Sequence, residues 1–302
     1  MKIVPLAAES LGVRSMATYV EVGKTGILID PGAALGPNRY NLPPAPAEVE
    51  ALDRAIDRIK GYSVRAQLIS ISHYHEDHFQ SDPALYKRSQ VWVKNPSRMI
   101  NESQKRRGCS FWDAVKPHCR LDLSDGKSYE FPDALVKASP PLSHGAEGTG
   151  FGYVIALTIT DRDDGFRFVH ASDVQGPASA VATAYLLRER PHLLYLSGPP
   201  TYLERQVGTA VIERGIENLL SIIQETGCRV ILDHYSLRDP RHAVRLERLY
   251  DTGKVVSAAG YLSLPEQLLE ARRNVLWQET RQQAARPAKR FGRKRSRLTA
   301  DR

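Results

Sequence analysis

The sequence predicts an α/β protein in which two β-sheets pack together with helices on the outside. Three observations lead there. Short apolar runs of strand length crowd the first thirty residues, stripes of apolar residues at helical spacing follow, and the last third alternates strand with helix. A chain of 302 residues has interior enough for one large domain of this kind.

The opening reads as strands over 3–6, 17–22 and 26–29, the last ending in Asp30-Pro31-Gly32. A Pro- and Gly-rich loop over 31–46 follows, long enough to serve as a functional flap. Val49, Leu52, Ile56 and Ile59 recur at helical spacing and predict a helix over 47–60. Leu68, Ile69 and Ile71 form an apolar strand of the kind buried on both faces. A strand is expected over 91–93, a helix over 99–115, and paired strands over 151–160 and 165–171 around Asp161-Arg-Asp-Asp-Gly165. Helices over 178–190, 240–250 and along the stripe Ile212, Ile216, Leu219, Ile223 alternate with strands over 193–196 and 230–232; Gly227 stops the striped helix.

Charge divides the chain. Lys and Arg number 42 against 34 Asp and Glu, a net +8. Nine of the basic residues lie between Arg281 and Arg302, where Asp301 is the one acid, so this segment carries the whole excess. We therefore expect one folded, formally neutral domain over 1–280 and a basic, disordered tail over 281–302. Such a tail either keeps the protein soluble or makes weak, salt-sensitive contact with nucleic acid. Cys109, Cys119 and Cys228 are odd in number and form no CxxC pair, which excludes a disulfide framework and a cysteine zinc knuckle. With no long apolar run, neither a membrane span nor membrane contact is expected, and the cytoplasm is the expected location.

The chemistry begins at Ser72-His73-Tyr74-His75-Glu76-Asp77-His78, three imidazoles and two carboxylates directly after a buried strand. These are the ligand types that borderline divalent ions prefer. His73 and His75 alternate toward one ion, while Asp77 and His78 reach a second on the next turn. More donors stand at later strand ends: His144 before Gly145, Asp173 after Phe168-Val-His-Ala-Ser172, and His234 after Val230-Ile-Leu-Asp233.

HxHxDH, then His, Asp and His, with Asp30 closing an early strand, resembles the metallo-β-lactamase superfamily from residue 1 to about 265. The string Pro5-Leu-Ala-Ala-Glu-Ser-Leu-Gly-Val-Arg-Ser-Met-Ala-Thr18 looks like an archaeal branch of predicted metal-dependent hydrolases within it. The resemblance implies an αβ/βα four-layer sandwich with metals where the two sheets meet. It implies His73, His75 and His144 on one metal, Asp77, His78 and His234 on the other, Asp173 bridging them, and Asp30 orienting a ligand from behind. Two divalent ions are implied, zinc first, with manganese or iron as alternatives.

Departures narrow the chemistry. Flavodiiron members place Glu where His75 stands, β-lactamases often place Cys where Asp173 stands, and glyoxalase-like members continue with Gly where Phe79-Gln80-Ser81-Asp82 follows. No second domain of the kind found in the large nucleases is inserted. The expected reaction is hydrolysis by a hydroxide bridging two ions about 3.5–4 Å apart, with Asp77 orienting it or shuttling its proton. The expected substrate is a small ester, lactone or phosphoester. The alternative is a nuclease or phosphodiesterase aided by the tail, disfavoured by the neutral body because nucleic-acid grooves need cations near the site. Tyr74, Tyr202 and Tyr235 are expected to donate to substrate oxygens, and Arg14 to hold an anionic group. His170, His118, His192 and His242 read as structural.

Overall fold

The computed structural model describes residues 1–285. The expected tail from residue 286 onward lies outside the described residues. A helix over Arg273–Ala285 takes in residues 281–285 of that tail.

Two sheets form the centre. The first has six strands, β1 (Lys2–Pro5), β2 (Thr18–Val22), β3 (Thr25–Ile29), β4 (Leu68–Ile71), β5 (Gln90–Val93) and β6 (Arg120–Leu123), in that spatial order. Strands β1 to β3 run antiparallel, and β3 to β6 run parallel. The second contains β7 (Ser128–Glu130), β8 (Ala134–Ala138), β11 (Leu157–Asp161), β12 (Arg167–Ala171), β13 (Leu193–Ser197), β14 (Arg229–Asp233) and β15 (Val255–Val256), in the order β15-β14-β13-β12-β11-β8-β7. Its β12 to β15 half is parallel. A small ribbon pairs β9 (Leu142–Ser143) with β10 (Tyr153–Val154).

Alternation along the strands sorts side chains into layers. Ile27 and Ile29 of β3 meet Leu193 and Tyr195 of β13 and Ile231 of β14 between the sheets. Leu28 faces the other way, toward α1 (Pro46–Ser63) and α2 (Glu102–Val115) through Ala51, Ala55, Ile59 and Phe111. Leu194, Leu196, Val230 and Leu232 turn out of the second sheet to α3 (Ala180–Glu189) and α4 (Thr209–Thr226). The result is helix, sheet, sheet, helix: the four-layer sandwich expected.

Several boundaries differ for local reasons. Helix α2 starts at Glu102 rather than 99, because Met99 is left-handed and the Asn101 side chain caps the helix by accepting from the Gln104 amide. The expected strand over 151–160 splits: Tyr153–Val154 pairs with β9, the Ile155 amide donates to the Ser72 carbonyl, and only then does β11 join the second sheet. The expected helix over 240–250 is two short pieces, His242–Arg245 and Glu247–Tyr250. Helix α5 (Arg273–Ala285) was not expected, since its mean hydropathy is low and it lacks an apolar stripe. No described helix is long and apolar enough to cross a membrane.

Candidate metal centre

The parallel strands of both sheets end toward one edge, and the candidate ligands stand there. Asp30 follows β3, the His73–His78 turn follows β4, His144 follows β9, Asp173 follows β12 and His234 follows β14. Asp30, Asp173 and His234 all adopt left-handed backbone, with φ of 47°, 53° and 62°. Such strain at a non-glycine residue costs of order 1–3 kcal/mol and persists where the surroundings fix a functional geometry. Gly32 lets the chain pass against the turn: a Cβ there would lie 2.2 Å from the Phe79 amide nitrogen and 2.6 Å from that of His78.

Seven donors converge in two groups. His73, His75, His144 and Asp173 form one, with donor atoms within 4.8 Å of each other; Asp77, His78 and His234 form the other. Asp173 reaches into both: Oδ2 is 2.9 Å from His144 Nε2, 3.1 Å from His73 Nε2 and 3.5 Å from His78 Nε2, while Oδ1 is 3.3 Å from His234 Nε2. Asp77 Oδ2 lies 3.5 Å from His234 Nε2.

Hydrogen bonds behind the donors fix which nitrogen carries the lone pair. Asp30 accepts from the Ser72 amide and hydroxyl at 2.7 Å, which uses the only proton of Ser72 Oγ. That oxygen, 2.9 Å from His73 Nδ1, is left to accept, so His73 holds its proton there and turns the lone pair of Nε2 inward. His78 Nδ1, 3.0 Å from Asp30 Oδ2, donates likewise and aims its own Nε2 into the cage. This is the carboxylate–histidine arrangement that orients metal ligands.

The electrostatics agree with a demand for cations. Burial alone would lower the His78 imidazole, but Asp173, Asp77 and Asp30 outweigh it and push it up to about 9. Burial depresses His73 to about 3, and His78 beside it adds to the fall. Burial would raise Asp30, yet the hydrogen bond from His78 brings it down to about 2. Asp77 and Asp173 fall well below the usual carboxylate range: burial opposes this, and the neighbouring imidazoles outweigh it. His78 Nε2, His144 Nδ1 and Asp173 Oδ1 are buried with no hydrogen-bond partner. Inward-facing ring nitrogens, ionised carboxylates and orphaned buried atoms in one place fit divalent ions, which would replace the positive charge His78 carries.

A cavity of about 370 Å³ opens over this cage. His75, Asp77 and Tyr235 line it, as do Arg14, Arg107 and Arg238. Arg14 is bound at both ends to Glu270, each contact 2.6 Å, so its charge is largely met. Arg238 pairs with Glu9 at 2.5 Å and stacks 4.6 Å over the Tyr235 ring. Arg107 donates to the Tyr74 carbonyl and to Ser103 Oγ, and no carboxylate among the described residues lies within 4 Å of it. The formally neutral body thus does carry cations at the site, contrary to the sequence-based expectation: net charge does not report where charges gather.

Of the expected substrate contacts, Tyr235 lines the cavity, its hydroxyl 3.4 Å from Asp173 Oδ2. Tyr74 does not. Its ring is fully buried against Phe79 and Phe111, and its hydroxyl donates to the Lys94 carbonyl at 2.5 Å. Being next to His73 placed it on the opposite side of the turn. Tyr202 lines a neighbouring cavity instead, with its hydroxyl accepting from Arg238 at 3.2 Å. His170 is a buried histidine bonded to the Met16 carbonyl. Sequence reasoning missed Arg107, Arg238 and Glu9. Arg238 carried a signal, standing one helical turn after His234; Glu9 carried none.

Comparisons with known proteins identify a family and a fold. No protein-family model matches the chain. A UPF0282 protein of Thermococcus sibiricus is 42% identical over 290 residues, covering 91% of this chain and 94% of its own length. The chain belongs to the UPF0282 family. Members from Methanopyrus kandleri and Methanocaldococcus jannaschii are 39% and 38% identical, each aligned over at least 91% of this chain. These relatives are archaeal. Among solved structures, unliganded yeast PDE1 superposes with a TM-score of 0.52 at 13% identity, covering 85% of this chain and 97% of PDE1. Tm1679, titled a metal-dependent hydrolase of the beta-lactamase superfamily, gives 0.50 at 14% identity, covering 84% and 94%. The Zn(2+)-bound PqqB of Methylobacterium extorquens gives 0.50 at 10%, covering 85% and 97%. The family therefore shares the metallo-β-lactamase fold.

Proposed function

We propose that this protein is a metal-dependent hydrolase with a two-ion site, acting on a phosphoester. The observation that carries the reading is the convergence of six donors on Asp173, whose two oxygens reach into both groups. His73, His75 and His144 would hold one ion, Asp77, His78 and His234 the other. When bound, two such ions supply an activated water at neutral pH and positive charge for a developing oxyanion. Zinc suits this set of imidazoles and carboxylates best.

The chain's own residues do the rest. Asp77, ionised and lining the cavity, orients the attacking water by accepting its hydrogen bond. Asp30 and Ser72 hold His78 and His73 in register. Tyr235 and Arg238 line the same cavity and supply donors for a substrate oxygen. Arg107, its charge unmet, favours an anionic substrate over a neutral ester or lactone.

Two measurements test this. Elemental analysis after dialysis should find about two divalent ions per chain; less than one, with no reuptake, overturns the two-ion site. Bis(p-nitrophenyl) phosphate should turn over faster than p-nitrophenyl acetate or a γ-lactone, and His75→Ala should abolish it. Faster turnover of the neutral esters would overturn the phosphoester assignment.

A further inference from the structure

A second cavity, of about 400 Å³, lies against the back of Arg238. Its wall is shared with the cage: Tyr202 accepts from Arg238 Nη1 at 3.2 Å, and Arg39 Nη2 donates to the Arg238 carbonyl at 2.8 Å. Three observations single it out.

The first is an unmet set of hydrogen-bonding atoms. Arg39 Nε, Thr201 Oγ1 and Asp239 Oδ2 are buried without a hydrogen-bond partner, and all three residues line this cavity. Thr201 is 1% exposed and Asp239 4%. Asp239 Oδ2 still faces the Arg245 guanidinium at 3.6 Å. An orphan with no such partner costs about 1–3 kcal/mol, so Arg39 Nε and Thr201 Oγ1 around one cavity point to a ligand that satisfies them. The second is charge. Arg39, Arg205, Arg241 and Arg245 line the cavity against Glu204 and Asp239. Arg245 is paired with Glu204 at 2.6 Å and with Asp239 at 3.6 Å, whereas Arg205 and Arg241 have no carboxylate within 4 Å among the described residues. The third is an aromatic platform. The Arg39 guanidinium lies 4.9 Å from the Tyr40 ring centroid and 4.8 Å from that of Tyr202. Tyr40 and Asn41 are both left-handed, φ 55° and 57°, in a tight turn closed by Arg39 and Leu42. Such turns favour Asn-Gly; a tyrosine in the first position is strained, and here it leaves its ring 44% exposed. The Tyr40 hydroxyl is fixed on the Ala271 carbonyl, which holds the ring in place.

We propose that this cavity binds a nucleotide, its base stacked on Tyr40, its phosphate at Arg205 and Arg241, and a hydroxyl or amino group on Asp239. A cationic groove with a stacking ring is how proteins hold single nucleotide units. The proposal rests on the phosphoester reading in one respect: the nucleotide is then the part of the substrate next to the scissile bond.

The test is calorimetric titration of full-length His75→Ala protein with AMP, adenosine and inorganic phosphate. AMP should bind more tightly than either of the others. Arg241→Ala and Tyr40→Ala should each weaken it by about tenfold, the size of one lost stacking or phosphate contact. Arg241 is exposed, so its variant tests the site even if Tyr40→Ala fails to fold. Phosphate binding as tightly as AMP, or AMP affinity unchanged in both variants, overturns the nucleotide site. If wild-type protein hydrolyses no phosphoester yet AMP binding depends on Arg241 and Tyr40, the cavity stands and the phosphoester assignment falls. If phosphodiesters are hydrolysed while AMP binds nowhere, the cavity proposal falls alone.

Discussion

The ligand cage and the loop beside it are built on opposite terms. In the cage, buried donors and acceptors face each other unsatisfied: His78 Nε2, His144 Nδ1 and Asp173 Oδ1 have no hydrogen-bond partner. In the loop over 31–46, Arg39 Nε apart, side chains of the C-terminal segment meet the loop's buried carbonyls. Arg273, fully buried, holds both Glu48 oxygens at 2.8 Å, the Gly36 carbonyl at 2.8 Å and the Leu42 carbonyl at 3.1 Å. Glu48 also accepts from the Ala45 amide and so caps α1, and Trp277 Nε1 donates to the Pro43 carbonyl. One region is held mainly by its own side chains. The other gathers buried donors and strained backbone that bound ions would satisfy.

The sharpest break of that contrast is Asp173→Ala, which removes the one carboxylate shared by both ligand groups. Turnover should fall by at least about a thousandfold, several kcal/mol of barrier. A chelator should lower the thermal midpoint of the wild type and leave that of the variant unmoved, because only the former gains stability from bound ions. Retained ion content in Asp173→Ala would refute the bridging role.

Arg273→Met attacks the other region. Breaking a buried ion pair strands Glu48, and unfolding in urea should show a loss of about 3–5 kcal/mol. A loss below about 1 kcal/mol, the range of surface pairs, would mean the clamp is not where the loop gets its order.

Asp30→Asn is gentler. His78 keeps its place but loses its charged partner, and ion affinity should drop about 10–100-fold, read by competition with a chelating dye. Unchanged affinity would show that Ser172, 3.1 Å from His78 Nδ1, orients the ring alone.

Deleting residues 286–302 should change least. Hydrolysis of a small phosphodiester should be unaffected, while any oligonucleotide binding should weaken and lose part of its salt dependence between about 50 and 200 mM. Loss of small-substrate turnover would tie the tail to the cage.

What could be read in the sequence, and what could not, divides along the same line. The cage was legible because its donors are unusual residue types at strand ends: His73, His75, Asp77 and His78 crowd one turn, and His144, Asp173 and His234 each follow an apolar run. The four-layer arrangement was legible because both faces of β3, β4, β13 and β14 are apolar, which demands cover on each side. The clamp was not. Arg273 and Glu48 are ordinary charged residues on ordinary helices, and nothing local says that each is the other's partner. Arg14 was expected to hold a substrate anion, and it faces the cavity, but Glu270 occupies its fork. Tyr74 misled because neighbours along a turn point to opposite sides. The small strands over 120–138 were missed, since β6 and β7 are half exposed and lack strong alternation.

The clamp also sets an order of events. On the ribosome, β1 to β6 and the His73–His78 turn emerge first and can pair among themselves, whereas Asp173 and His234 come with the second sheet and Arg273 after that. The half-cage therefore exists for a time as a cluster of histidines with no bridging carboxylate and no walls. The loop that carries Arg39 and Tyr40 takes its final path only once α5 has docked, so among the described residues the last helix made is the one that fixes the loop beside the cage.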